Sequence, residues 1–111
     1  MKPKLRVWLV FPDGAKIGAG RAALLEAIGE LGSIKAAAER FEMSYRYAWG
    51  YLRELEAAAG FRFIERQRGG GETGGATLTP RGKEFLGRYQ EFHRRLDAAA
   101  EREYARIFRR H

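Results

Sequence analysis

Residues 32–50, GSIKAAAERFEMSYRYAWG, decide the fold of this chain. Ser33 and Ser44 each precede a run of apolar residues at helical spacing, and serine is among the residues most favoured at a helix N-cap. Only Glu42 and Met43 separate the end of the first run from Ser44. The spacing therefore predicts two helices joined by a turn of three or four residues, which is a helix-turn-helix.

A third helix is predicted upstream of this pair, over residues 21–31. It ends at Gly32, because glycine readily adopts the left-handed conformation that terminates helices. The helix that starts after Ser44 should end at Gly60 for the same reason. Its apolar residues recur at helical spacing and form the expected inward stripe: Tyr45, Ala48, Leu52, Leu55 and Ala59.

The remaining positions of that last helix form its expected exposed face. They are Ser44, Arg46, Tyr47, Gly50, Tyr51, Arg53 and Glu54. The first turns of such a helix can enter a DNA major groove, where arginine recognises guanine and a glycine allows close approach of the backbone. An ordinary solvated helix face is the alternative, and the hairpin that follows and the basic composition argue against it.

A β-hairpin is predicted on the N-terminal side. Residues 5–11 alternate with a period of two, which is typical of a strand with one buried face. Pro12, Asp13 and Gly14 have the chemistry of a turn, and residues 15–17 return as a short second strand.

A second hairpin is predicted over residues 61–66 and 76–79, with a glycine-rich tip between them. A hairpin directly after the recognition helix is the wing of a winged helix. Arg66 and Arg68 supply charge, and a tip with few side chains, including Gly70, can follow a phosphate backbone or lie in a minor groove.

A long last helix is predicted from Thr79, a favoured N-cap, with Pro80 at its first position. Its apolar residues step by three and four in a nearly heptad pattern: Phe85, Tyr89, Phe92, Leu96, Tyr104 and Ile107. We expect this seam to meet its copy in a homodimer. The alternative is that the helix folds back on its own domain. The predicted fold class is mainly α with small β, with a winged helix-turn-helix over residues 1–79 and the dimerisation helix over residues 80–111 in one compact unit.

Composition agrees with a nucleic-acid partner. The 111 residues carry a net charge of +7, and most of the excess lies in the C-terminal half. Cysteine is absent from the sequence, which excludes disulfides and thiolate chemistry and suggests the cytoplasm. The longest strongly apolar run, residues 7–11, is far shorter than a membrane span, so no membrane association is expected.

Two glycine patterns imitate nucleotide sites. Gly18 and Gly20 belong to a G-x-G-x-x-A pattern, but a turn separates it from the strand before it. The glycines of residues 69–75 lack the phosphate-binding lysine, whose place Ala76 takes. His93 and His111 have no second ligand at metal spacing. We therefore expect neither enzymatic activity nor a cofactor.

The chain resembles the N-terminal DNA-binding domain of ModE-family, molybdate-responsive regulators, itself similar to the winged helix of LysR-type regulators. The resemblance rests on Gly32-Ser33-Ile34, on Ser44-Tyr45-Arg46-x-Ala48-Trp49, and on the glycine-rich wing through Gly82. It implies a symmetric dimer on a palindromic operator. The expected DNA-contacting residues are Ser33, Ser44, Arg46, Tyr47, Trp49, Gly50, Arg53, Arg66, Arg68 and Gly70, with Trp49 mainly a packing residue.

Two departures from the family pattern change what the resemblance implies. Glu42 stands in the turn where glycine is usual, and if the turn has its usual conformation we expect this to cost about 1 kcal/mol. Residues 1–111 also contain no molybdate-binding module, so we expect no selective molybdate binding and a control through protein abundance or a separate effector-binding protein. The expected partners are double-stranded DNA and a second copy. The alternative function is an architectural DNA- or RNA-binding protein without sequence preference.

Overall fold

Four helices and two strand pairs make up the computed structural model, which describes residues 1–67 and 74–109. In chain order they are β1 (Leu9–Val10), β2 (Lys16–Ile17), α1 (Ala19–Leu31), α2 (Ile34–Arg40), α3 (Tyr45–Ala59), β3 (Ile64–Arg66), β4 (Ala76–Leu78) and α4 (Pro80–Phe108). The mainly helical winged helix-turn-helix predicted from the sequence is confirmed. Arg68, Gly70 and His111 lie outside the described residues.

The predicted helix caps are confirmed. The hydroxyl of Ser33 accepts a hydrogen bond from the backbone N–H of Ala36, and that of Ser44 accepts one from Tyr47, each at 3.0 Å. These bonds satisfy donors that have no partner inside the helix. The two caps fix where α2 and α3 begin, and so fix the geometry of the pair.

The turn between α2 and α3 has the usual conformation of the family that the sequence resembles, and it is therefore strained at Glu42. Glu42 has φ of 55°, and among the described non-glycine residues it alone has a positive φ. This left-handed conformation crowds the Cβ atom of an L-residue. The helix-turn-helix therefore keeps its usual geometry despite a residue that opposes it.

The N-terminal hairpin is shorter and less buried than predicted. β1 contains only Leu9–Val10, and residues 1–8 have no regular secondary structure. The side chains of Val7, Leu9 and Phe11 are half-buried and Leu5 is exposed, so no face of the strand is fully covered. The alternation is correct, but a two-stranded sheet at the edge of a small domain leaves water on one side. The predicted turn is confirmed, with the Gly14 N–H donating to the Phe11 carbonyl at 2.9 Å.

The wing is an antiparallel pair in which Ile64 lies opposite Leu78 and Arg66 opposite Ala76. The Ala76 N–H also donates to the Gly32 carbonyl at 2.9 Å, which ties the wing to the end of α1. Phe63 and Ile64 are fully buried beneath it. The wing is thus held on the helical core from two directions.

The core lies between α1, α2, α3, the wing and the first turns of α4, with β2 at one side. Its largest fully buried side chains are Phe63, Ile17, Leu24, Leu25, Ile28, Leu52, Leu55 and Ile64. Gly82 in α4 passes so close to the wing that a Cβ atom there would lie 2.8 Å from the Phe63 carbonyl oxygen. Only glycine permits this approach, which brings α4 against the core.

Thr79 joins the wing to α4 by two hydrogen bonds. Its hydroxyl accepts from the Gly82 N–H at 2.9 Å and donates to the Arg62 carbonyl at 2.6 Å. We expect Thr79→Ala to lower the free energy of unfolding by about 0.5–2 kcal/mol, because both partners are left unsatisfied. Chemical denaturation measures this, with Thr77→Ala on the exposed face of β4 as the matched control. Equal losses in the two variants would contradict the role of the Thr79 hydroxyl.

Candidate nucleic-acid interface

The first turns of α3 present an exposed polar face. Ser44, Arg46, Tyr47, Gly50 and Arg53 are all exposed, as predicted. Arg46 makes no hydrogen bond or ion pair with any residue that the structure describes. Its guanidinium therefore retains its donors for an external acceptor, and Gly50 has open space where a Cβ atom would stand.

Tyr51 is not part of this face, which corrects the prediction. It is 5% exposed and packs in the core. The buried side of α3 is wider than the predicted stripe, since Ala48, Tyr51 and Leu55 also follow one another at helical spacing and Arg21 covers the tyrosine ring. Burial raises the pKa of the Tyr51 hydroxyl well above its usual range, which Arg21 opposes and Glu54 reinforces.

Two arginines and two aromatic residues link the wing to α3. We call Tyr45, Trp49, Arg53 and Arg66 the Trp49 cluster. The Arg66 guanidinium donates to the Tyr45 hydroxyl at 2.9 Å and lies 5.0 Å from the centre of the Trp49 ring, and Arg53 approaches that ring to 5.8 Å. Cation–π contacts of this kind hold the wing and α3 in one orientation.

Arg66 thus has a second role that the sequence did not indicate. It was predicted to contact phosphate from the wing, and in the structure its guanidinium packs against α3. The signal was present in the sequence, because Tyr45 and Trp49 are four residues apart and so lie on one face of α3. What periodicity could not show is that Arg66, 21 residues away from Tyr45, reaches that face.

Sequence reasoning also missed Glu56. Its carboxylate accepts hydrogen bonds from the backbone N–H groups of Phe63 and Ile64, at 2.7 and 3.1 Å. Charged acceptors make strong bonds, and these two satisfy amides at the start of the wing. Glu56 therefore fixes where the wing leaves α3.

The predicted dimerisation seam divides into two parts. Phe85 stacks with Phe11 and meets Phe63 edge to face, and Tyr89 is 3% exposed, so both pack within their own domain. For these turns the alternative, a helix folded back on its own domain, is correct. Farther along, Phe92 and Ile107 are 44% and 61% exposed, and Leu96 is half-buried. An exposed apolar strip on α4 thus begins at Phe92.

The N-terminal segment, residues 1–8, runs beside the outer half of α4. The Tyr89 hydroxyl donates to the Val7 carbonyl and the Tyr104 hydroxyl donates to the Met1 carbonyl, each at 2.8 Å. Tyr104 is therefore half-buried against its own chain and stacks with Phe108. Residues 2–5 of the segment lie beside His93, Asp97 and Glu101, which are on a different side of α4 from Phe92.

Neither a metal-binding cluster nor a membrane-spanning helix occurs among the described residues. No group of three or more histidine, aspartate or glutamate side chains is placed to hold a metal ion within residues 1–67 and 74–109. The Nδ1 atom of His93 lies 3.3 Å from an Asp97 carboxylate oxygen one helical turn away, and no third described histidine, aspartate or glutamate completes a metal site with them. In the same ranges, no helix combines the length and the apolar character needed to cross a bilayer.

Comparison with known proteins agrees with this geometry. The family model described as bacterial regulatory helix-turn-helix protein, lysR family, matches residues 21–83, which include most of α1 and all of α2, α3 and the wing strands. The chain belongs to the LysR family of bacterial regulatory helix-turn-helix proteins. The match ends within the first turn of α4, so the LysR-type unit is the part of the chain that carries the exposed face of α3.

Curated relatives of this LysR-family chain are molybdenum-related proteins, as the resemblance predicted. The molybdenum-pterin-binding protein MopB of Rhodobacter capsulatus is 41% identical over 76 residues, which cover 68% of this chain and 28% of MopB. The molybdenum transport protein ModE of Azotobacter vinelandii is 33% identical over 93 residues, which cover 80% of this chain and 34% of ModE. The chain thus spans about a third of the length of these relatives.

Solved structures confirm the LysR-type fold. The DNA-binding domain of CbnR in complex with DNA superposes with a TM-score of 0.60 at 26% identity, covering 78% of this chain and 93% of that one. ArgP from Mycobacterium tuberculosis gives a TM-score of 0.56 at 27% identity, and the match covers 77% of this chain and 30% of ArgP. The superposition with the first of these neighbours covers almost the whole of its DNA-binding domain.

Proposed function

We propose that this chain is a sequence-specific transcription regulator that binds double-stranded DNA as a homodimer on a palindromic operator. One observation carries the proposal: the N-terminal half of α3 is exposed and holds Arg46 with its donors unused by the described protein. In a winged helix-turn-helix, this is the element whose first turns reach base edges. The likeness to a DNA-bound domain supports the same reading of α3.

Phosphate contacts come from the surroundings of α3. Ser33 and Ser44 stand at helix N-termini, where backbone N–H groups and the helix dipole favour an anion, and their hydroxyl protons remain available. Tyr47 and Arg53 flank the base-reading positions. Arg66 and Trp49 act first as positioning residues in the Trp49 cluster, while Arg68 and Gly70 remain predictions outside the described residues.

The DNA-binding residues do not indicate which effector controls this regulator. MopB and ModE are named for molybdenum, but this chain matches only about a third of each. We propose that the present residues do not sense molybdate and that a separate effector-binding protein, or the abundance of the chain itself, sets occupancy of the operator.

Selection of binding sites from a random duplex library tests the proposal. We expect the purified chain to enrich a two-fold symmetric sequence and to bind it roughly 10³-fold or more tightly than a scrambled duplex of equal length and composition. Both titrations are made at one fixed salt concentration, because phosphate contacts make every affinity salt-dependent. Equal affinity for the two duplexes would instead identify an architectural protein without base readout.

A further inference from the structure

A cavity of about 310 Å³ lies between α1, the turn before α3, and α3 itself. We call it the α1–α3 cavity. Its walls are mostly aromatic or aliphatic side chains: Trp8, Leu24, Phe41, Met43, Tyr47 and Tyr51. Three of these, Trp8, Phe41 and Tyr47, are exposed large aromatics at 49%, 37% and 59%. A cluster of exposed aromatic rings around an indentation is the usual character of a ligand site, not of a solvated surface.

Tyr51 brings a polar group to this apolar wall. The residue is 5% exposed, and its hydroxyl has no hydrogen-bond partner among the described residues. Burying a hydroxyl without a partner is unfavourable, and most buried polar side chains have one. The Tyr51 hydroxyl is thus a buried donor beside the cavity that the described residues leave unused.

Arg21 supplies a charge at the same wall. Its guanidinium lies 4.2 Å from the centre of the Tyr51 ring and donates one hydrogen bond, to the Lys16 carbonyl at 2.9 Å. It has no acidic partner within the part of the chain that the structure describes. No acidic side chain lines the cavity. Of the five donors of an arginine, most therefore remain for a ligand.

The wall is also held in place before any ligand arrives. The Trp8 ring lies so close to Gly18 that a Cβ atom there would come within 2.6 Å of it, and the Lys16 ammonium sits 4.9 Å from the ring centre. Gly20, at the start of α1, leaves open space beside the cavity. A preformed wall reduces the ordering cost of binding.

These features define the ligand. Flat apolar walls suit an aromatic ring, the Tyr51 hydroxyl offers a donor, and the Arg21 guanidinium suits an anionic oxygen. The volume suits one ring. We propose that the α1–α3 cavity binds a small, single-ring aromatic carboxylate, recognised by the Tyr51 hydroxyl and the Arg21 guanidinium.

Nuclear magnetic resonance on the ¹⁵N-labelled chain without DNA tests this, with benzoate as the probe. The two tryptophans give an internal comparison, since Trp8 lines the cavity and Trp49 does not. We expect saturable shifts of the Trp8 indole and of the Gly20 and Met43 amides at roughly millimolar benzoate or below, and none of the Trp49 indole. Equal shifts of both indoles, or no saturation, would overturn the proposal. The result does not depend on DNA binding.

Analogues and variants test the recognition. Benzamide and cyclohexanecarboxylate should bind more weakly than benzoate, because the first lacks the charge and the second the flat ring; equal binding of either is a refutation. Tyr51→Phe should weaken benzoate roughly 3- to 10-fold without lowering the thermal midpoint, because only an unpartnered hydroxyl is lost. Unchanged affinity in this folded variant would remove the Tyr51 role.

A filling variant and its match complete the test. Gly20→Leu places a side chain in the open space beside the cavity, whereas Gly87→Leu does so on an exposed turn of α4 that also has nothing within 4 Å. Both remove a glycine from a helix, so both gain helix propensity. We expect Gly20→Leu to abolish the benzoate shifts and Gly87→Leu to keep them. If both variants bound benzoate as the native chain does, the site would not be this cavity.

Discussion

A variant with both Phe92→Glu and Leu96→Glu is expected to separate the proposed dimer into monomers and to lower operator affinity roughly 100-fold or more. The two residues lie on the exposed apolar strip of α4, where Phe92 is 44% exposed, and neither belongs to the buried core. Two like charges on each helix would repel across a symmetric seam. Affinity falls because the second half-site is no longer linked to the first.

The matched control carries the same two charges on the other side of α4. Gly87 and Ala98 are both exposed and lie opposite the strip on a helical wheel, so Gly87→Glu with Ala98→Glu changes the net charge equally. Sedimentation gives the mass of each variant, and titrations with full-site and half-site duplexes give the affinities. Half-site affinity should be the same in both. A dimeric Phe92/Leu96 variant would place the interface elsewhere, for example at α1 or the N-terminal hairpin.

Point substitutions are a cleaner test than truncation. A chain cut before Tyr89 would lose a buried side chain and its hydrogen bond to the Val7 carbonyl. Loss of the dimer could then not be separated from loss of the fold. Phe92 and Leu96 avoid this because they begin the part of α4 that leaves the core.

The second large effect is expected for Arg46→Ala. If Arg46 recognises a guanine, removing it should cost about 1–3 kcal/mol, which is about 5- to 150-fold in operator affinity, and should relax preference at one position of each half-site. Selection of binding sites with the variant shows which position loses its preference. Affinity for random duplex should fall much less than affinity for the operator.

Arg95→Ala is the control for the loss of one positive charge. Arg95 is exposed on α4 and pairs with Glu91 at 2.8 Å, away from α3. It should change neither the selected sequence nor the ratio of operator to random binding. A uniform loss in the Arg46 variant, on operator and random duplex alike, would assign Arg46 to phosphate instead of a base.

The elements that the sequence predicted well are those with local signals. Ser33 and Ser44 mark the starts of their helices, because an N-cap hydrogen bond joins residues only three positions apart. Gly32 and Gly60 end the preceding helices with φ of 68° and 82°. The strain at Glu42 was expected only from the resemblance to the ModE family, in which glycine is usual at that place in the turn.

What the sequence could not show are contacts between distant elements. The sequence predicts Tyr51 on the exposed face because it falls outside the inward stripe of α3, and only its packing in the core and beneath Arg21 of α1 shows its burial. Phe85 and Tyr89 fit a heptad seam as well as a core stripe, because both patterns step by three and four. Packing against Phe63 and Phe11 decides between them.

The path of the N-terminal segment has a consequence for the order of folding. The hydrogen bond from Tyr89 to Val7 joins positions 82 residues apart, and that from Tyr104 to Met1 joins positions 103 apart. Closing loops of this length costs conformational entropy, which the contacts of the segment with α4 must offset. The hydrogen bonds that hold the wing on α1 and α3 join residues that are much closer in the sequence. Residues 1–7 are therefore expected to dock late and to detach early when the protein opens, whereas Trp8 stays packed against Gly18.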